Sequence, residues 1–141
     1  MARLVDTNVL VYRFDSRFPR KQAIATSLLR QGIERDDLRL PHQAVVEFVA
    51  VTTRPLDKGK SLLSKQEALR EAEELLSQFD VIYPDETVVR TALRGMAAYN
   101  LSWFDAHLWA YAECFGLHEL LSDDFQHNRL YGNVRVINPF I

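Results

Sequence analysis

The sequence predicts a single α/β domain over residues 1–141, its central, mostly parallel sheet covered by helices on both faces. Short apolar runs alternate with longer stretches of helical periodicity. No internal repeat, low-complexity tract or linker interrupts them. At 48% hydrophobic and 26% charged residues, the composition is that of an ordinary globular domain.

Taken in order, Arg3-Leu4-Val5 reads as a first strand that stops at Asp6. From about Arg20 to Glu34, Ala23, Ile24, Ser27, Leu28 and Gln31 recur at helical spacing, and Gly32 with Asp36-Asp37 ends that helix. Leu38-Arg39-Leu40 is a second strand, stopped by Pro41. A helix from about His42 to Thr53 follows, with Pro55 beyond its end. The charged, Gly59-containing stretch Leu56–Leu63 reads as a loop. Ser64 and Glu67 carry a capping-box signature for a helix whose Ala68, Leu69, Ala72, Leu75, Leu76 and Phe79 make one apolar stripe. Val81-Ile82-Tyr83 is a third strand, ended by Pro84. Asp85 caps a helix bearing Val88, Val89, Ala92, Leu93 and Met96, and Ser102 caps another that runs to about Phe115, where Gly116 stops it. Glu119-Leu120-Leu121 and Val134-Arg135-Val136-Ile137 are the last strands.

Composition narrows the function classes. No apolar run approaches the ~18–20 residues of a membrane span. Asp6 stands where a signal peptide would carry its apolar stretch, so a cytoplasmic protein is expected. One cysteine, Cys114, excludes an internal disulfide and a multi-thiol zinc site. The four histidines, His42, His107, His118 and His127, lack zinc-ligand spacing. Seventeen basic against nineteen acidic residues give a net charge of -2, which argues mildly against a partner held by bulk positive charge. Two segments are locally basic. Arg13, Arg17, Arg20 and Lys21 stand against Asp15, and Arg54, Lys58, Lys60 and Lys65 stand against Asp57. Of these, Arg13, Arg17, Lys58 and Lys60 are candidate phosphate contacts.

Three acids lie in apolar surroundings. Asp6 follows Leu4-Val5, Glu47 interrupts Val45-Val46-Phe48-Val49, and Asp105 has Leu108, Trp109 and Ala112 as helical neighbours. Burying a lone carboxylate costs several kcal/mol or forces protonation. Each has a modest explanation: Asp6 and Asp105 as helix caps, Glu47 as one half of a buried ion pair with Arg54 or another arginine. Together they converge on one sheet edge, since acids at strand C-termini and helix N-termini of such folds face the same side. Ser122-Asp123-Asp124 adds acids after a strand that can lie beside the first. A carboxylate set without suitably spaced Cys or His suits a hard cation, Mg²⁺ or Mn²⁺.

These motifs (Leu-Val-Asp6-Thr7-Asn8, Glu47 in its apolar helix, Ser102-Trp-Phe-Asp105-Ala and Leu-Leu-Ser122-Asp123-Asp124) resemble those of PIN-domain ribonucleases. Within them the likeness is nearest to the VapC-type toxins of toxin–antitoxin pairs, and it spans the chain to its Asn138-Pro139-Phe140 ending. The resemblance implies a PIN-like three-layer α/β/α domain and metal-dependent endonuclease activity on RNA, often tRNA or rRNA. It implies inhibition of translation, a small cognate antitoxin and a homodimer. Asp6 and Asp105 match the principal metal-binding acids, and Glu47 matches the helix acid. The Ser/Thr-x-Asp spacing places the fourth acid on Asp124, with Asp123 as second choice. Thr7, Asn8 and Ser122 fit as donors that orient carboxylates or water. Phe14, Phe18 and Trp103 are candidate partner-facing aromatics, with core packing as the plainer reading.

Other readings fare worse. A phosphohydrolase of the haloacid-dehalogenase type needs Asp-x-Asp after the first strand, and here the second position is Asn8. A response-regulator receiver needs an acid at the end of the third strand, where Pro84 intervenes. A catalytically inactive PIN-like module that only binds RNA or protein has no need of complete acid motifs.

Overall fold

The computed structural model describes residues 1–141. In chain order the elements are β1 (Arg3–Val5), α1 (Thr7–Tyr12), α2 (Pro19–Arg35), β2 (Leu38–Pro41), α3 (His42–Thr53), α4 (Lys65–Gln78), β3 (Asp80–Ile82), α5 (Glu86–Tyr99), α6 (Trp103–Cys114), β4 (Glu119–Leu121), β5 (Leu130–Tyr131) and β6 (Val134–Ile137). The six strands form one sheet ordered β3-β2-β1-β4-β6-β5. All pairings are parallel except that of β5 with β6.

Strand periodicity sets the layers. Successive side chains point to opposite faces, so Val5 and Leu121 join a core with Leu10, Leu29, Leu40 and Phe48 under α1–α4. Leu4 and Leu120 join a second core with Ala92, Leu108, Trp109 and Val136 under α5 and α6. The result is the expected α/β/α sandwich. No helix in it is long and apolar enough to cross a membrane.

The chain runs outward from β1 to β2 and β3, then returns to place β4 on the other side of β1, with Leu4 opposite Leu120. This reversal is a topological switch point. In open α/β sheets the crevice beyond the strand C-termini at such a point is where ligands bind. Asp6 follows β1 there, and Ser122 follows β4.

Several local expectations are corrected. Gly32 does not end α2 but lies inside it, where a Cβ would come 2.1 Å from Leu38 Cδ1. Its role is close approach of helix to sheet, and Asp36, with φ 51°, is the left-handed cap. The third strand begins one residue earlier, at Asp80, and Tyr83 lies beyond it, exposed. The antiparallel β5 is too short to carry a periodicity. The α4 stripe is narrower than predicted, with Leu69 and Leu76 half exposed. On α5, Val89, Leu93 and Met96 face outward, because the buried face is Val88, Thr91, Ala92 and Gly95, small enough to bring α5 close against Trp109 of α6.

Candidate active site

Asp6 is both a cap and the innermost acid of a cleft. As N-cap of α1 its Oδ1 accepts from the Thr7 N–H at 2.6 Å, and its Oδ2 accepts from the Ser122 hydroxyl at 2.5 Å. Ser122 is fully buried, and its oxygen also accepts from the Asp124 N–H at 3.0 Å, so one hydroxyl joins the ends of β1 and β4. Burial pushes the Asp6 carboxyl up to about 8. The charges of Asp124 and Asp105 push the same way, against the hydrogen bonds from Ser122 and Thr7.

Asp105 sits in the first turn of α6, where Ser102 caps its N–H at 3.1 Å. Partial burial raises its carboxyl above the usual range. Glu47 is half-buried on α3. Its partner is not Arg54 but the Gln43 amide one turn earlier, which donates to Oε1 at 2.7 Å and also to the Phe104 carbonyl at 3.1 Å, tying α3 to the start of α6. Asp124 stands at the exposed lip. Protein packed against its carboxyl raises its pKa, as do Asp123, Asp105 and Glu47, while Asn8 holds it down.

These four acids, with Thr7 and Asn8, line one cleft of about 300 Å³ whose other walls include Tyr12, Asp15, Arg17, Gln43 and Phe104. Asp123 is absent from that lining. It accepts from Asn8 Nδ2, from the Tyr12 hydroxyl at 2.8 Å and from Lys21 Nζ at 3.1 Å. The two neighbouring acids thus separate, Asp124 toward the cleft and Asp123 toward a lysine.

The expected phosphate contacts also separate. Arg17 is on the cleft wall but is held in a two-pronged pair with Asp15, at 2.9 and 2.8 Å. Asp15 is only 3% exposed, so it is a buried acid rather than the solvated counter-charge its segment suggests. The Arg17 guanidinium holds its carboxyl below the ordinary range. Arg13 lies 4.9 Å over the Phe14 ring with its Nε buried, outside the lining. Lys58 and Lys60 are exposed on the loop before α4, also outside it. His127 Nδ1 accepts from the Asn138 N–H at 3.0 Å. Of the three aromatics, Phe18 and Trp103 are exposed, whereas Phe14 packs against Phe48.

Sequence reasoning missed Gln43, Asp15, Tyr12 and Lys21. Gln43 had a signal, since i,i+4 spacing before Glu47 puts both on one helix face. The contacts of Tyr12 and Lys21 with Asp123 had none, because they join residues more than a hundred positions apart.

The donor set fits a hard divalent cation. Every acidic or amide ligand in the lining offers oxygen, and no cysteine or histidine is among them. Thr7 Oγ1 and Asn8 Oδ1 are buried with no hydrogen-bond partner, which such a site would explain. No three acidic, His or Cys side chains converge tightly enough to form a finished cage. Mg²⁺ does not require one, since it is held by one or two carboxylates and keeps several waters.

A family model described as PIN domain matches residues 3–133. Among solved structures, the fold is similar to a toxin-antitoxin complex from Klebsiella pneumoniae, with TM-score 0.70 and 18% identity over 98% of each chain. DNA-bound VapBC from Salmonella typhimurium matches with TM-score 0.69 and 12% identity over 96% of each chain. VapC20 of Mycobacterium tuberculosis, described as a sarcin-ricin loop cleaving toxin, matches with TM-score 0.61 and 13% identity over 84% of this chain and 87% of that one. Comparison with curated protein sequences gives no significant match.

Proposed function

We propose that this chain, which belongs to the PIN-domain family, is a divalent-metal-dependent endoribonuclease and the toxin of a toxin–antitoxin pair. The observation that carries the reading is the set of four carboxylates, Asp6, Glu47, Asp105 and Asp124, lining one cleft at the switch point of the sheet. The similarity in fold to toxin–antitoxin complexes supports the toxin assignment and a small antitoxin as partner. An RNA substrate of the tRNA or rRNA class, a homodimeric state and a cytoplasmic location belong to the same reading.

Each residue has a physical task in this scheme. Asp6 and Asp105 hold Mg²⁺ or Mn²⁺, with Asp6 oriented by Ser122 and by the first N–H of α1. The bound cation supplies Lewis-acid polarisation of the phosphate and a lowered pKa for the attacking water. Asp124, exposed at the lip of the same cleft, would serve as the proton acceptor. Glu47, anchored by Gln43, closes the far wall, and Thr7 Oγ1 and Asn8 Oδ1 offer neutral acceptors to water or to a substrate hydroxyl.

Asp105→Asn tests the scheme because it keeps the shape of the side chain and removes its charge. Purified protein with Mg²⁺ or Mn²⁺ is expected to lose RNA cleavage by at least about a hundredfold, with an unchanged circular dichroism spectrum. Full cleavage by the folded variant overturns the assignment.

A further inference from the structure

Lys21 lies in a basic segment and invites reading as a phosphate contact, yet its surroundings point to another task. Its Nζ donates to the Tyr12 hydroxyl and to Asp123 Oδ2, each at 3.1 Å. It also stands 4.7, 5.8 and 5.6 Å from the ring centroids of Tyr12, Phe18 and Phe140. Two of its three donors are spent and three rings lie near the charge on its protein side, which holds the ammonium in place rather than leaving it free to follow a backbone phosphate. Phe140, near the C-terminus, is 2% exposed and packs edge-on against Tyr12 at 5.0 Å, which backs the Tyr12 ring, while the Lys21 side chain stays one-third exposed.

The carboxylate held this way reaches the cleft through one residue. Asp123 Oδ2 takes the Tyr12 and Lys21 bonds, and Asp123 Oδ1 accepts from Asn8 Nδ2. A side-chain amide is planar, so pinning its nitrogen sets the direction of its oxygen. Asn8 lines the cleft, and its Oδ1 is buried without a partner. Such an acceptor is costly unless something donates to it.

We infer that Lys21, Tyr12 and Asp123 are positioning residues that lock the Asn8 amide, so that Oδ1 faces the cleft as a neutral acceptor for a donor of the substrate or of the attacking water. This rests on the nuclease reading and adds a specificity element to it. Lys21 acts through two other side chains and makes no contact with substrate.

Lys21→Met, Lys21→Arg, Asn8→Ala and the Lys21→Met/Asn8→Ala double variant test the inference. They are assayed for RNA cleavage at several salt concentrations, and the Asn8 side-chain NH₂ resonance is followed by NMR without metal or RNA. Lys21→Met is expected to lower kcat about 10- to 100-fold, the scale of a misplaced group. KM and the salt slope should stay within twofold. Lys21→Arg should recover part of the loss. The double variant should be no slower than Asn8→Ala alone, since residues acting in series are not additive. The Asn8 resonance should shift or broaden in Lys21→Met.

A raised KM with a salt slope reduced by about one would make Lys21 a direct phosphate contact and overturn the inference. Multiplicative losses, or an unmoved Asn8 resonance, overturn it as well. If the wild-type protein cleaves no RNA, the nuclease reading fails, while the resonance still decides whether Lys21 holds Asn8. Should Lys21→Met not fold, Tyr12→Phe removes only the hydroxyl that bonds Asp123 and Lys21, and it is expected to lower kcat and shift the Asn8 resonance; an unchanged kcat or an unmoved resonance overturns the inference.

Discussion

Asp6→Asn is expected to destroy the proposed activity and to stabilise the fold. Asp6 is 6% exposed, and its carboxyl is pushed from 3.8 up to about 8. A proton is therefore taken up on folding between those values, and wild-type stability falls as pH rises through the window. At pH 7 the cost of the ionisable group is roughly 4 kcal/mol, from 1.36 kcal/mol per pH unit above 3.8. Asparagine is neutral throughout but offers one acceptor in place of two, so either Thr7 N–H or the Ser122 hydroxyl loses its bond. That loss is worth roughly 1–2 kcal/mol. The net expectation at pH 7 is a gain of about 2–3 kcal/mol, or roughly 6–12 °C in Tm for a chain of this size. Near pH 4 the sign reverses, since the cost of the ionisable group has by then shrunk to about 0.6 kcal/mol, less than the hydrogen bond that the variant loses. Thermal melts of both proteins in EDTA from pH 4 to 8 measure the difference. An Asp6→Asn variant no more stable than wild type at pH 7, or a gap independent of pH, would refute the claim that this carboxyl is held against its charge. Adding Mg²⁺ should raise the Tm of the wild type alone, because ligand binding to the folded state stabilises it by mass action.

Ser122→Ala removes the hydroxyl that donates to Asp6 and accepts from the Asp124 N–H. A loss of about 1–3 kcal/mol in urea denaturation is expected, with the Asp6 carboxyl driven higher still. Gly95→Ala places a Cβ 2.6 Å from Trp109 Cζ3, and that ring is pinned by its Nε1–H donating to the Tyr131 carbonyl at 2.9 Å. A net cost of about 1–3 kcal/mol is expected in thermal melts, despite the better helix propensity of alanine.

Much of the site was legible because its signals are local. Asp6, Glu47 and Asp105 stood out as acids among apolar neighbours, and the strand and helix ends around them placed them on one edge. The same reasoning overlooked Asp15, whose neighbours Phe14, Ser16 and Arg17 look like ordinary loop, and it credited Arg17 with a freedom that Asp15 removes. It overestimated Glu47, which is only half-buried on the wall of the open cleft. It misread Gly32 as a terminator because glycine has two uses, a left-handed turn and a close approach, and composition does not separate them.

By itself the sequence determined the fold class, the order of the main elements and the identity of the acids. Periodicity, capping chemistry and the cost of a lone carboxylate act over a few residues and need no topology to be read. Only the tertiary structure decided which acid of the Asp123-Asp124 pair enters the cleft, and that Lys21 is spent on the other. Those outcomes depend on β4 lying beside β1, which brings Ser122 to Asp6 and Asp123 to Asn8, Tyr12 and Lys21 across more than a hundred residues. The net charge of -2 follows the same division. The count is a property of the chain, but the gathering of Asp6, Glu47, Asp105 and Asp124 along one cleft, and the pairing of Lys21 with Asp123, are properties of the fold.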